Sequence, residues 1–104
     1  MLVVAAKCRI LPDHWQEFEE EMARITDFVR AEPGCTRYDT TTSIEEPGLF
    51  LILEEWESKE HLDSHLETSH MKEHKVLTAD WTAEPVRLTL YEVLSVEHLI
   101  PDSH

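Results

Sequence analysis

The chain has 104 residues, of which 41% are hydrophobic and 30% charged, and its formal net charge is −13. This length suits one domain and is too short for two, and the composition excludes a disordered chain. Binding to nucleic acid or to an anionic membrane needs clustered Lys and Arg, so the acidic balance excludes both partners. No run approaches the roughly 20 apolar residues of a membrane span.

The first two predicted elements are a strand over residues 2–10 and a helix that follows Pro12. The strand is apolar almost throughout, which is typical of a strand covered on both faces. In the helix, apolar residues recur every three or four positions and form one stripe. The stripe consists of Trp15, Phe18, Met22, Ile25 and Phe28 or Val29. The helix ends at the Glu-Pro-Gly sequence of residues 32–34, because proline cannot continue it and glycine permits the turn.

A hairpin and a broken helical region come next. Residues 35–43 and 49–57 favour strands, and the short turn between them predicts a β-hairpin. Ser58 can cap the helical region that follows. The Thr-Ser pair at residues 68–69 interrupts this region, because both side chains can bond the backbone and cap a fresh start. A second helical piece is predicted over about residues 70–77.

Residues 85–96 alternate apolar and polar side chains and predict the last strand. The element order is therefore β-α-β-β-α-β. This order predicts a ferredoxin-like α+β fold, in which a four-stranded antiparallel sheet carries both helices on one face. The whole chain, residues 1–104, forms one such domain. Its tail over residues 97–104 either crosses onto a partner subunit or frays.

The predicted sheet is apolar on both faces in several strands. Because the helices cover only one of these faces, the other stays bare unless something packs on it. A second copy of the chain packed sheet to sheet would cover it, so we expect a homodimer.

Two cysteines, Cys8 and Cys35, lie in strand segments, where an unreactive buried thiol is the common outcome. The apolar start of the chain is too short for a secretory leader and is soon followed by Lys7 and Arg9. We therefore expect free thiols and a cytoplasmic location.

Four short motifs lie between Glu32 and His74. They are Glu32-Pro33-Gly34-Cys35 with Tyr38, Phe50 with Glu54-Glu55-Trp56-Glu57-Ser58, Glu60-His61-Leu62 with His65, and Thr68-Ser69-His70. Together they resemble the antibiotic biosynthesis monooxygenase family, which belongs to the dimeric α/β-barrel superfamily. The chain also fits this family in length and element order. The resemblance implies a dimeric α/β barrel with a cleft between the helices and the sheet of each subunit.

The resemblance also implies an activity. Family members include oxygenases that oxidise quinols or polyketide anthrones with O2 and use neither metal nor flavin. Others degrade haem or isomerise phosphorylated signal molecules. The haem-degrading branch has an Asn and a Trp where this chain has Cys8 and His65, and only His74 can match its haem-ligating histidine. The expected function is a cofactor-independent monooxygenase acting on a small aromatic substrate and O2. The alternatives are a non-catalytic module that binds haem, a metal or a metabolite, and an isomerase of the same superfamily.

Four of the seven histidines lie in the second helical region: His61, His65, His70 and His74. They form two pairs spaced four residues apart, and such pairs can bind zinc, nickel or copper. A zinc site usually needs a third protein ligand, and the sequence has neither an HExxH nor a CxxC motif. No metal site is therefore expected.

His65 and His70 flank the predicted helix break, where the helices should face the cleft. An imidazole of near-neutral pKa can take a proton from a phenolic hydroxyl, so these two are the predicted catalytic residues. The alternative is that they are solvated or cap the break.

The predicted substrate-binding residues are Tyr38, Glu54, Trp56 and His74. Glu54 and Trp56 share one face of their strand. Trp56 either lines an aromatic pocket or is a core residue. Glu54 either orients a histidine or pairs with a nearby base. The Tyr38 hydroxyl reaches the substrate, or Tyr38 is a half-buried strand aromatic. His74 is either a substrate contact or a surface residue.

Overall fold

The computed structural model describes residues 1–102, so the last two residues of the predicted tail lie outside the described part of the chain. A short 3₁₀ turn, Pro12–His14, leads into the first helix. The remaining elements are β1 (Leu2–Arg9), α1 (Trp15–Arg30), β2 (Cys35–Thr42), β3 (Leu49–Trp56), α2 (Lys59–Leu66), α3 (Ser69–Thr78) and β4 (Arg87–Glu92). This order confirms the predicted βαββαβ plan, with the second helical region divided in two.

The four strands form one sheet in the order β2-β3-β1-β4, and every neighbouring pair is antiparallel. Val4 of β1 lies opposite Glu54 of β3 on one side and Leu90 of β4 on the other. Tyr38 of β2 lies opposite Glu54. Because opposed residues in antiparallel strands point to the same face, Val4, Glu54 and Tyr38 all face the helices.

The core lies between this face and α1. The apolar stripe of α1 is buried from Phe18 onward, and Trp15 is half-buried against the core. Of the two alternatives for the last member, Val29 is buried whereas Phe28 is 55% exposed. On the sheet side, the core residues are Leu2, Val4, Ala6, Cys8, Tyr38, Phe50, Ile52 and Trp56. Cys8 and Cys35 are both free thiols, and burial raises the pKa of Cys8 to about 11.

The break between α2 and α3 follows from hydrogen bonds of Thr68. Its hydroxyl donates to the carbonyl of His65 at 2.8 Å and accepts from the backbone N–H of Met71 at 3.4 Å. The first bond caps the end of α2 and the second caps the start of α3. The interruption predicted from the sequence is therefore confirmed, and it lies between His65 and His70.

The last strand is shorter than the predicted span of residues 85–96. It ends at Glu92, opposite Leu2, which is the first residue of β1. Past Glu92, the backbone N–H of Val93 donates to the carbonyl of Met1, the residue before β1. Beyond that point no neighbouring strand within residues 1–102 continues the ladder, so the apolar side chains of Leu94, Val96, Leu99 and Ile100 stay exposed.

The face of the sheet away from the helices is open and partly apolar. Val3, Ala5 and Leu53 on this face are half-buried, while Leu51 and Tyr91 are 40% and 54% exposed. No helix within residues 1–102 has the length and apolar character that crossing a membrane requires.

Candidate active site

Glu32 joins the two predicted catalytic histidines. It lies in the loop between α1 and β2, whereas His65 is near the end of α2 and His70 is in the first turn of α3. Oε2 of Glu32 is 2.9 Å from Nδ1 of His65 and 2.7 Å from Nε2 of His70. The side chains of His65, Glu32 and His70 are 2%, 9% and 19% exposed, so the group opens toward solvent at His70.

This contact fixes the tautomer of His65. A carboxylate can only accept hydrogen bonds, so Nδ1 of His65 carries the proton and donates it to Glu32. Burial lowers the pKa of His65, although the hydrogen bond and the charge of Glu32 act in the opposite direction. In the neutral ring the lone pair is then on Nε2, which can accept a proton.

Two aromatic residues surround His65. Trp56 is fully buried, and its ring centroid is 4.7 Å from that of His65. The Tyr38 ring meets His65 edge-on at a centroid distance of 6.0 Å. Burial, and next the charge of Glu54, raise the pKa of the Tyr38 hydroxyl, so it stays protonated and can donate. Trp56 is thus a core residue that also forms one wall of the site.

Glu54 is a buried carboxyl on the strand beneath the histidines. The indole N–H of Trp56 donates to its Oε1 at 3.0 Å. Burial raises its pKa from 4.5 to about 7; the indole bond opposes this shift, and the charge of Glu32 adds to it. Within the described residues Glu54 thus neither orients a histidine nor pairs with a base, the two alternatives predicted for it, and Glu32 forms the bonds to His65 and His70.

Three polar atoms of this site form no hydrogen bond within the described residues, and they keep slight solvent access, unlike the fully enclosed and unpaired Oγ1 of Thr40. The Tyr38 hydroxyl, the second carboxyl oxygen of Glu54 and Nε2 of His65 form no hydrogen bond with another side chain or backbone group there. The three residues are only 3%, 5% and 1% exposed. Because they keep slight solvent access, these atoms can bond water or a polar ligand.

His74 lies in a separate ion pair. Its Nδ1 is 2.7 Å from Oε2 of Glu21, and Arg24 donates two further hydrogen bonds to the same carboxylate. The structure therefore brings together His65, His70, Tyr38, Trp56 and Glu54, and places His74 one helical turn beyond His70 with a partner of its own.

Glu32 and Glu21 were not identified from the sequence. The sequence assigns Glu32 only to the stop signal of α1 and to the family motif at residues 32–35, and it gives Glu21 no role. Their spacing does carry a signal, because Glu21 follows the buried Phe18 by three residues and Glu32 follows the buried Val29 by three. Both carboxylates thus extend the buried stripe, where an ionised side chain needs a partner.

An open depression of about 400 Å³ lies along β2, next to Tyr38. It is lined by Arg30, Cys35, Thr36, Arg37, Tyr38 and Asp39. Between the helices and the sheet, where the family resemblance implies a cleft, the rings of His65, Trp56 and Tyr38 pack closely. Tyr38 is the residue that links this packed region with the depression.

Comparison with known proteins identifies related sequences and structures. The sequence pattern of the family described as antibiotic biosynthesis monooxygenase matches residues 1–76. A protein of Escherichia coli named "Probable quinol monooxygenase YgiN" is 35% identical, over 69% of this chain and 79% of its own. The uncharacterized protein sll1783 of Synechocystis is 29% identical over 94% of this chain and 67% of its own. A solved structure from Nitrosomonas europaea, described under the same family name, is 27% identical with a TM-score of 0.87, covering 91% of this chain and 100% of its own.

Proposed function

Since the chain belongs to the antibiotic biosynthesis monooxygenase family, we propose that it oxidises a small quinol- or anthrone-like aromatic with O2 and without a metal or flavin. The similarity to a relative named as a quinol monooxygenase supports the substrate class. The observation that carries the mechanism is the bond from Nδ1 of His65 to Glu32, which leaves Nε2 as a buried base.

The reaction begins with proton transfer. Nε2 of His65 takes the proton of a phenolic hydroxyl, and the resulting anion is electron-rich enough to pass an electron to O2 directly. The reduced oxygen then bonds to the oxidised ring. For a quinol, the ring loses four electrons in all and becomes a hydroxyquinone, which keeps one atom of O2 while the other leaves as water. For an anthrone, the CH2 group loses four electrons and becomes a carbonyl, while O2 supplies one oxygen atom to the product and leaves the other as water.

The neighbouring groups bind the substrate in this proposal. The Tyr38 hydroxyl donates to a substrate oxygen, and Glu54 accepts from a hydroxyl or, when protonated, donates. Trp56 supplies an aromatic wall. His70 shares Glu32 with His65 and is the more exposed of the two, so it passes the proton onward to solvent. His74 contacts the substrate through the ring atoms other than Nδ1, because Nδ1 is bonded to Glu21.

The homodimer and its location are part of the same proposal. The open sheet face that holds Val3, Ala5, Leu51, Leu53 and Tyr91 is the surface that a second copy would cover. Burying apolar area of this kind stabilises an assembly by roughly 25 cal/mol per Å². The two free thiols fit a reducing compartment such as the cytoplasm.

Oxygen uptake with a panel of reduced quinols and anthrones tests the proposal. The wild-type chain should consume O2 faster than the autoxidation of each compound in buffer, and one atom of ¹⁸O2 should enter the product. A His65→Ala and His70→Ala double variant should lose this activity, whereas a variant of the exposed His98, His98→Ala, should keep it. Uptake at the autoxidation rate across the whole panel would refute the proposal.

A further inference from the structure

The group formed by Glu32, His65 and His70 offers three donor atoms to one point. Oε2 of Glu32, Nδ1 of His65 and Nε2 of His70 all lie within 4.8 Å of one another. The sequence suggested pairs of histidines four residues apart, but the structure pairs His65 with His70, across the helix break. It also supplies a carboxylate from another part of the chain as the third donor.

The spacing of these atoms is close to that of a metal site. Zinc binds histidine nitrogen at about 2.0–2.1 Å and carboxylate oxygen at about 2.0–2.2 Å, so tetrahedral donors lie about 3.4 Å apart. The Glu32 oxygen lies 2.9 Å and 2.7 Å from the two nitrogens. Each of these two oxygen–nitrogen distances must therefore lengthen by roughly half an ångström on metal binding. Small side-chain movements allow this, because Glu32 lies in a loop and the histidines lie beside a helix break.

The charge of Glu32 supports a cation here. Glu21, the other buried carboxylate on a histidine, is also bonded by the guanidinium of Arg24. Within residues 1–102, by contrast, no Lys or Arg forms an ion pair with Glu32, and its side-chain partners are the two histidines. A buried carboxylate is stabilised by a compensating positive charge, and the net charge of −13 attracts cations to the chain.

We infer that Glu32, His65 and His70 bind one divalent transition-metal ion such as Zn²⁺, with water as the fourth ligand on the exposed His70 side. Binding through Nδ1 of His65 moves the ring proton to Nε2. The ring then loses the free lone pair that the proposed mechanism uses. His65 therefore cannot bind the metal and act as the base at the same time. This consequence rests on the proposed function, but the metal site does not depend on it.

Zinc titration of the full chain, produced without a histidine tag, tests the site. We expect one Zn²⁺ per chain by calorimetry. Affinity should fall by at least about tenfold in Glu32→Gln and in His70→Ala. His61→Ala and His74→Ala should bind as the wild type does, because neither residue belongs to the donor set. Thermal unfolding of each variant shows whether it is folded before it is titrated.

A second readout follows the His65 ring itself. Long-range ¹H–¹⁵N spectra should show a protonated Nδ1 before zinc is added and a protonated Nε2 afterwards. Absence of stoichiometric zinc binding, binding that survives both Glu32→Gln and His70→Ala, or binding that depends on His61 would overturn the inference. If zinc binds but oxygen uptake does not fall with occupancy, the metal site stands and the proposed base is wrong.

Discussion

Nδ1 of His65 lies 2.9 Å from Oε2 of Glu32, and this contact determines which ring nitrogen is free to act as a base. Nothing else within the described residues bonds the ring nitrogens of His65. The tautomer thus depends on one carboxylate, in the way that a buried acid orients the histidine of a hydrolytic triad.

Replacing Glu32 by Gln should lower kcat by at least about tenfold while KM changes little, because an amide no longer selects the productive tautomer. Steady-state oxygen uptake measures both constants. Glu21→Gln is the matched control, since Glu21 is also a buried carboxylate on a histidine but lies outside the group, and its kcat should stay near wild type. An equal loss of kcat in the two variants would show that only folding is affected.

The fold could be predicted almost completely from the sequence. The apolar stripe of α1, the Glu-Pro-Gly stop at residues 32–34 and the Thr68 cap are local signals, and each of them directs the nearby backbone. The end of β4 could not be predicted in this way, because it depends on where β1 stops rather than on the side chains of β4 itself.

The site could be predicted only in part. The sequence singled out His65, His70, Tyr38, Glu54 and Trp56, and the structure places them together. The sequence did not indicate Glu32, which contacts histidines 33 and 38 residues away along the chain. Such a contact arises from the packing of α2 and α3 beside the end of α1, and although the spacing behind Val29 indicates that Glu32 needs a partner, no local pattern identifies the two histidines as that partner.

Tyr38→Phe should raise KM by roughly three- to tenfold and leave stability nearly unchanged. A net hydrogen bond contributes about 0.5–1.5 kcal/mol, and the Tyr38 hydroxyl has no protein partner within the described residues that the change would leave unpaired. Thr40→Val is the control, because Thr40 lies on the same face of β2 and its Oγ1 is buried without a partner within the described residues. An unchanged KM in Tyr38→Phe would remove Tyr38 from the substrate site.

The raised pKa of Glu54 predicts how stability depends on pH. Below pH 4.5 the carboxyl is protonated in both the folded and the unfolded chain, and the shift has no effect. Between pH 4.5 and about 7 the unfolded chain ionises while burial keeps the folded carboxyl protonated, so stability falls as the pH rises through this range and the loss is complete above it. This contribution is about 3 kcal/mol as an upper limit.

As the pH rises from 5 to 8, the free energy of unfolding should therefore fall less in Glu54→Gln than in the wild type. Chemical denaturation at each pH measures this difference. The amide keeps an oxygen for the indole N–H of Trp56, so the fold should be maintained. Parallel stability curves for the two proteins over this range would contradict the pKa shift.

Leu51→Asp should convert the proposed dimer to a monomer, because it introduces a charge into the open apolar face of the sheet. Light scattering after size exclusion should give 12.2 kDa for this variant and twice that mass for the wild type. Ile44→Asp is the control, since Ile44 is fully exposed in the turn between β2 and β3. A monomeric wild-type chain would contradict the sheet-to-sheet dimer.

Oxygen uptake by His65→Ala, measured with and without added imidazole, tests most directly whether His65 is the base. A general base contributes about 100-fold or more, so the variant should lose at least that factor on the best reduced quinol. Free imidazole should restore part of the rate, and it should have no effect on the His98→Ala control. A folded His65→Ala chain that oxidises the quinol at the wild-type rate would show that His65 is not the base.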